Sequence, residues 1–332
     1  MEATPSSRRP FIALGCSLSL GIAQNSIGLT AYMVNGNWRV LQFISGALCL
    51  LYIPHFWFLE ESVRWLLQGY EISKVKDILN KADAINGKIL TEEMNDASCI
   101  SLVVEVERQS VLTLFKTPVI RQRIIIISLC WFAVGLAYYG ISLNSNFFAK
   151  NPYIIFMFTA AVELPAALLN WWLLQHYPRR LTQSISLALS GAVLLIGGIS
   201  GIDWLRICSV VLSKFFAKLS IGTVYIYTAE LFPTPVRSAA VGIGQVFSLI
   251  GAIIVPFIML LDYAWYLAPI AIMGVPCIIS GLLIRLYLPD TKNKPSPDTV
   301  EEIEHPYKEF KSSKCDEEDL YLMKDVKQEY NN

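Results

Sequence analysis

Charge is what this sequence has least of. Of its 332 residues, 54% are hydrophobic and only 16% are charged, against roughly 25% charged in soluble domains. The formal net charge is zero, so no strongly basic surface of the kind nucleic acids need is present, and no nucleic-acid partner is expected. The three histidines, His55, His176 and His305, lie far apart and suggest no metal site. The seven cysteines (Cys16, Cys49, Cys99, Cys130, Cys208, Cys277 and Cys315) are scattered, mostly inside apolar runs, with no CxxC pair. They read as small apolar packing residues, not as a disulfide framework. There is no N-x-S/T sequon, no G-x-S-x-G, no HExxH and no P-loop. An ATP-driven pump and a membrane hydrolase therefore find no support, no enzyme is expected and no cofactor is implied.

What remains is apolar, in runs of about the 20 residues that cross a bilayer as a helix. Eight candidate spans stand out, at 11–33, 38–59, 124–143, 152–175, 183–201, 205–229, 238–261 and 264–288. The first follows Arg8 and Arg9 and has the look of a signal peptide. It is too long for that and has no clean small-residue cleavage site before Trp38. Short alternating segments, the mark of a barrel, are absent. The fold class read here is an all-α integral membrane protein.

Lys and Arg set the orientation. Nine of them, from Arg64 to Arg123, fall between the second and third spans; Arg179 and Arg180 follow the fourth, and Arg237 precedes the seventh. The opposite side carries few. Both termini are thus expected in the cytosol. Within the long basic segment, "SKVKDILNKADAING" spaces Val75, Ile78, Leu79 and Ala82 as one helical face, and Asn86-Gly87 is a stop signal. The last forty-odd residues read as a mostly disordered tail. Its "DEEDLYLM" is open to two readings, a solvated stretch or a sorting or docking motif.

Charges inside the spans are few and costly, at roughly 2.5–3.5 kcal/mol each at mid-bilayer. Glu163 lies in "FTAAVELPAALL", two residues before Pro165. Lys214 and Lys218 lie one turn apart in "VVLSKFFAKLSIGTVYIY", on a face that Gly222 and Tyr225 continue. One reading is a water-filled substrate cavity lined by the three. The other is a structural Glu–Lys tie, or lysines snorkelling to an interface. Trp131, Gly135, Tyr138 and Ser142 share a face of the third span, with Tyr139 beside them. That stripe is either a wall of a pocket for an amphipathic ligand or ordinary packing.

"YTAELFPTPVRSAAVGIG" resembles the signature of the organic cation/anion/zwitterion transporters, solute carrier family 22 of the major facilitator superfamily. "NWRVLQFISG" with "LEESVRWLLQGY", "YYGISLN", "VELPAALL" and "YPRR" follow that family's motifs in order, from about Ser7 to Pro289. The resemblance implies a major facilitator fold of two lobes with rocking alternating access, in a multi-pass plasma-membrane protein. It implies small organic ions or zwitterions as substrates, moved by facilitation or exchange. It assigns residues 1–59 to a remnant of the amino-terminal lobe and 60–122 to the cytosolic inter-lobe loop. Residues 123–288 become the carboxyl-terminal lobe and 289–332 the tail. Counted this way the spans are the family's fifth to twelfth helices, and the amino-terminal lobe is incomplete. A truncated, non-transporting isoform that associates with a full-length relative is therefore the alternative. Substrate-cavity residues would be Trp131, Tyr138, Tyr139, Ser142, Glu163, Lys214, Lys218 and Tyr225. A cytosolic gate would use Glu61, Arg64, Arg179, Arg180, Glu230 and Arg237, with Glu230 pairing to Arg237, Arg64 or Arg179. Leu249 occupies the position where the family's cation members tend to carry Asp and its anion members Arg. Pro178, His176 and Val63 also depart from the family pattern.

Overall fold

The computed structural model describes residues 9–54, Leu66, 72–86, 117–143, 152–200, 202–233, 236–263 and 267–292. Every regular element among them is helical. Helix α1 is Arg9–Met33 and α2 is Trp38–Cys49, extended by a 3₁₀ turn over Leu50–Tyr52. Helix α3 is Ile72–Asn86, α4 is Pro118–Leu143, α5 is Pro152–Ala161 and α6 is Glu163–His176. Then come α7 Arg179–Ile199, α8 Asp203–Leu231, α9 Arg237–Met259 and α10 Leu267–Tyr287.

Among the described residues, six helices are long and apolar enough to cross a membrane, with α5 and α6 contributing one between them. They coincide with the last six of the eight expected spans. The other two expected spans begin as α1 and α2. Helix α1 has 25 residues, about 37 Å at the α-helical rise. The span expected at 38–59 runs past Pro54 into residues outside those described, as do Glu61, Arg64, much of the basic loop and the tail from residue 293. The amphipathic loop helix is present as α3, ends at Asn86 and buries Val75.

Local chemistry fixes the ends and the breaks. Asn35 and Gly36 take φ of 49° and 74° in the turn after α1, a left-handed region that suits these two residue types. The Asn37 side chain then accepts from Arg39 N at the start of α2. The helix that opens at Pro152 is interrupted at Val162, three residues before Pro165. Proline has no N–H to give the carbonyl four residues back, and its ring crowds that turn. Glu163 is therefore the first residue of the second segment.

Helices α4, α7, α8, α9 and α10 pack as one bundle, α7 against both α8 and α10, and α4 against α9. Its core joins Ile124, Ile127, Trp131 and Val134 of α4 to Leu187, Ala217, Val224, Tyr227, Ala240, Cys277 and Ile284. Small residues allow the closest crossings. At Gly135 an added Cβ would lie 2.8 Å from Ser248 Cα, and at Gly251 it would lie 2.8 Å from the Phe132 carbonyl oxygen. Helix α6 packs on α8, and α1 lies against α5 and α6. Gly21 of α1 meets Leu164, and Gly28 meets Phe156 and Met157. None of the α2 residues is buried.

Candidate functional site

Each polar side chain in α1 must find a partner, because its helix is otherwise apolar. Ser19, Ser26 and Thr30 donate to the carbonyl one turn back, and Asn25 does so to Gly21, the usual local solution. Gln24 is different. Its amide Nε2 donates to the hydroxyl of Tyr138 in α4 at 3.1 Å. Tyr138 in turn donates to Glu163 Oε1 at 2.7 Å. Glu163 Oε1 is 3.4 Å from Lys214 Nζ, and Oε2 is 2.8 Å from Lys218 Nζ. The Oε2 contact is an ion pair at short range rather than an aligned hydrogen bond.

This brings together five of the eight residues expected to line a cavity: Tyr138, Ser142, Glu163, Lys214 and Lys218. The side chain of Glu163 is 0% exposed, that of Lys214 is 2% and that of Lys218 is 9%. Lys214 Nζ also donates to the Tyr138 carbonyl at 3.2 Å and to Ser142 Oγ. The same ammonium lies 3.2 Å from the centre of the Tyr138 ring, with Lys218 at 5.8 Å, so the ring face adds a cation–π contact. Glu163 also opens α6, where free backbone N–H groups favour a carboxylate.

The other three expected residues stand apart from the ions. Tyr139 packs edge-on against Tyr138 at 5.3 Å between centroids. Trp131 is buried in the core and donates from Nε1 to Thr228 Oγ1 at 3.1 Å. It packs edge-on at 4.5 Å against Tyr225, which is 42% exposed and donates to Gln245 Oε1 at 2.5 Å. Because α4 and α8 cross side by side, they form two rungs, an aromatic one (Trp131–Tyr225) and an ionic one (Tyr138–Lys214–Lys218). Leu249 is exposed on α9 and adds no charge.

At the end of the bundle that carries the "AELFP" stretch, Arg179 Nε lies 3.5 Å from Glu230 Oε2. Thr291 donates to the same oxygen at 2.6 Å. Arg180 N approaches Asp290 Oδ1 at 3.4 Å, and the Arg180 guanidinium reaches the Arg285 carbonyl. Tyr227 donates to the Pro289 carbonyl at 2.6 Å. Of the partners expected for Glu230, Arg179 meets it and Arg237 makes no ion pair among the described residues, while Arg64 lies outside them. The ties join α7, α8 and the segment after α10, all within one bundle. The sequence reading missed Gln24, Thr228 and Gln245. The signal for the first was present: "AQN" sets adjacent amides inside an apolar run.

A family model described as "Sugar (and other) transporter" matches residues 10–304. The chain belongs to that family. Solute carrier family 22 member 6-B of Xenopus laevis is 29% identical over 339 residues, covering 98% of this chain and 61% of that protein. Organic cation/carnitine transporter 2 of Homo sapiens is 31% identical over 300 residues, covering 88% of this chain and 53% of that one. These relatives put the chain's similarity among the organic-ion transporters of solute carrier family 22, and the chain spans a little over half of their length. The solved structure of a proton:xylose symporter of the major facilitator superfamily superposes with a TM-score of 0.64 at 17% identity, covering 92% of this chain and 69% of that one. The fold is that of the major facilitator superfamily.

Proposed function

We propose that this chain takes part in alternating-access movement of small organic ions or zwitterions across the plasma membrane, as a facilitator or exchanger. The observation that carries this reading is the buried Glu163–Lys214–Lys218 cluster, held by Tyr138 and Ser142 inside an apolar bundle. Ionisable groups at such a place are costly unless they serve a substrate path or a tie. Tyr139, Trp131 and Tyr225 supply the aromatic flank of the same path. Residues 123–288 act as the carboxyl-terminal lobe and 1–59 as part of the amino-terminal one, with 60–122 between them and a tail from 289. Both termini face the cytosol, as the Lys and Arg distribution favours. The Arg179–Glu230 tie, with Arg180, Arg237, Glu61 and Arg64 on the same side, forms the inner gate. The test is uptake of labelled organic ions by cells expressing the chain, with surface biotinylation alongside. Saturable uptake that Glu163→Ala or Lys214→Ala abolishes supports the reading. Uptake equal to that of empty cells, with the protein at the surface, overturns it for this chain.

A second reading is favoured by the exposure of α2. Here the chain binds a full-length relative and alters its transport. Co-expression then changes the relative's uptake and the two co-purify; unchanged uptake with no co-purification rules this out.

A further inference from the structure

The buried cluster is unbalanced. Glu163 brings one negative charge, while Lys214 and Lys218 bring two positive ones. No other ionisable carboxylate or ammonium is buried among the described residues. An uncompensated ammonium in an apolar bundle is expensive to keep. The two lysines also differ in how fully they are satisfied. An ammonium has three donors and no acceptor. Lys214 Nζ has three oxygen partners: Glu163 Oε1, the Tyr138 carbonyl and Ser142 Oγ. Among the described residues Lys218 Nζ has Glu163 Oε2 as its one oxygen partner, with the Tyr138 ring centre 5.8 Å away, and its side chain is the most exposed of the three at 9%. Glu163 Oε1 is shared by Tyr138 and Lys214, while Oε2 faces Lys218 as a close ion pair without an aligned hydrogen bond.

The geometry points to Lys218 as the charge-reading residue of an anion subsite, so that the ligand taken here is an amphipathic organic monoanion and not an organic cation. This rests on the cluster being the substrate site. An anionic oxygen at Lys218 uses the donors that Glu163 leaves free and brings the cluster to neutrality. A cation there meets a surplus positive charge. The apolar part of the ligand has a place as well. Tyr225 follows Lys218 by two turns on the same face of α8, about 10 Å along the helix. Its half-open ring is backed by Trp131 and held by Gln245. The ligand that fits has a carboxylate at one end and an aromatic or alkyl body reaching roughly that far.

The test is direct binding to the full chain in lipid nanodiscs, read by calorimetry. The probes share one frame: phenylbutyrate, phenylbutylamine and the neutral phenylbutanol. Phenylbutyrate is expected to bind about 30-fold or more tightly than phenylbutylamine, the scale set by truncating one partner of a buried charge pair. Lys218→Met should erase that preference and Lys218→Arg should keep it. Where Lys218→Met lowers the melting temperature, Lys218→Gln against Lys218→Arg supplies the comparison. Preference for the amine overturns the assignment. So does a Lys218→Gln protein that binds phenylbutyrate like the wild type, or an absence of binding by all three probes. Binding without uptake counts against transport by this chain and leaves the anion subsite standing. Uptake of an organic cation that Glu163→Ala blocks upholds the transport site and overturns the anion assignment.

Discussion

Glu163→Ala should destabilise the bundle severely, and the size of the loss follows from what the carboxylate touches. The substitution removes the one buried carboxylate among the described residues and leaves Lys214 and Lys218 without a counter-charge. Two unit charges 4 Å apart attract by about 4 kcal/mol at an effective dielectric near 20. The two ammonium groups here are closer than that, at 3.4 and 2.8 Å. Much of this attraction offsets the cost of taking the groups out of water. What is lost on breaking the cluster from one side is therefore about 3–5 kcal/mol, most of it the penalty of the charges left behind. The same reasoning sets a control. Adding Lys214→Met and Lys218→Met to Glu163→Ala removes all three charges together, and apolar replacement of a whole buried cluster is often neutral or stabilising. The triple variant should thus melt above the single one. The assay is the fraction of monodisperse protein left after stepwise heating, read by size exclusion. A single variant that melts with the wild type, or a triple variant no more stable than the single, would refute the argument.

Other perturbations separate the parts of the molecule. Glu230→Gln should barely move the melting temperature, since its pair with Arg179 is 19% and 28% exposed and such pairs contribute about 0–1 kcal/mol. If the tie gates transport, turnover changes while substrate affinity holds; a change in affinity alone excludes the gate. Gly135→Ala places a methyl against the Ser248 backbone of α9 and should cost about 1–3 kcal/mol through overpacking, seen as a lower melting temperature. An unchanged melt would mean that α4 and α9 do not cross so closely. Gln183 is buried, with Nε2 bonded to Ser220 Oγ at 2.7 Å and to Cys130 Sγ at 3.1 Å, while its Oε1 has no partner. Gln183→Met should therefore melt at or above the wild type. Ser220→Ala should melt below it by about 1–3 kcal/mol, and the reverse order would show that Oε1 is satisfied.

The spans were legible because apolar length is a coarse signal that tertiary structure rarely overrides. Six expected spans agree with helices to within a few residues, and the break at Val162 follows from Pro165. The ionic cluster was legible for a related reason. Glu163, Lys214 and Lys218 are conspicuous because charge is scarce, and a lone carboxylate among buried lysines has few places to go. Aromatics carry less information. Trp131 and Tyr225 look alike in a helical pattern, yet one is buried and the other 42% exposed. Spacing gives the face of a helix and not the neighbour that covers it. Gln24 shows in the sequence as an amide inside an apolar run, but its partner lies 114 positions away and does not. That meeting depends on how closely α1 can approach α6, which Gly21 sets by lying against Leu164.

The ties that hold the cluster differ in what they leave behind when broken. Separating α8 from α6 strips Glu163 of both lysines and exposes bare charges, a loss of about 3–5 kcal/mol. Separating α1 from α4 breaks one hydrogen bond between Gln24 and Tyr138, both neutral. That costs about 0.5–1.5 kcal/mol net, or about 1–3 where a group stays buried and unpaired. Tyr138 keeps its bond to Glu163 when α1 leaves. Helix α1 is also joined to the rest through α5 and α6 rather than through the bundle core. The ionic cluster therefore behaves as a fixed part of the bundle, and α1 is the neighbour that can leave it without uncovering a charge. Under the alternating access proposed above, that is where motion at the polar centre is cheapest.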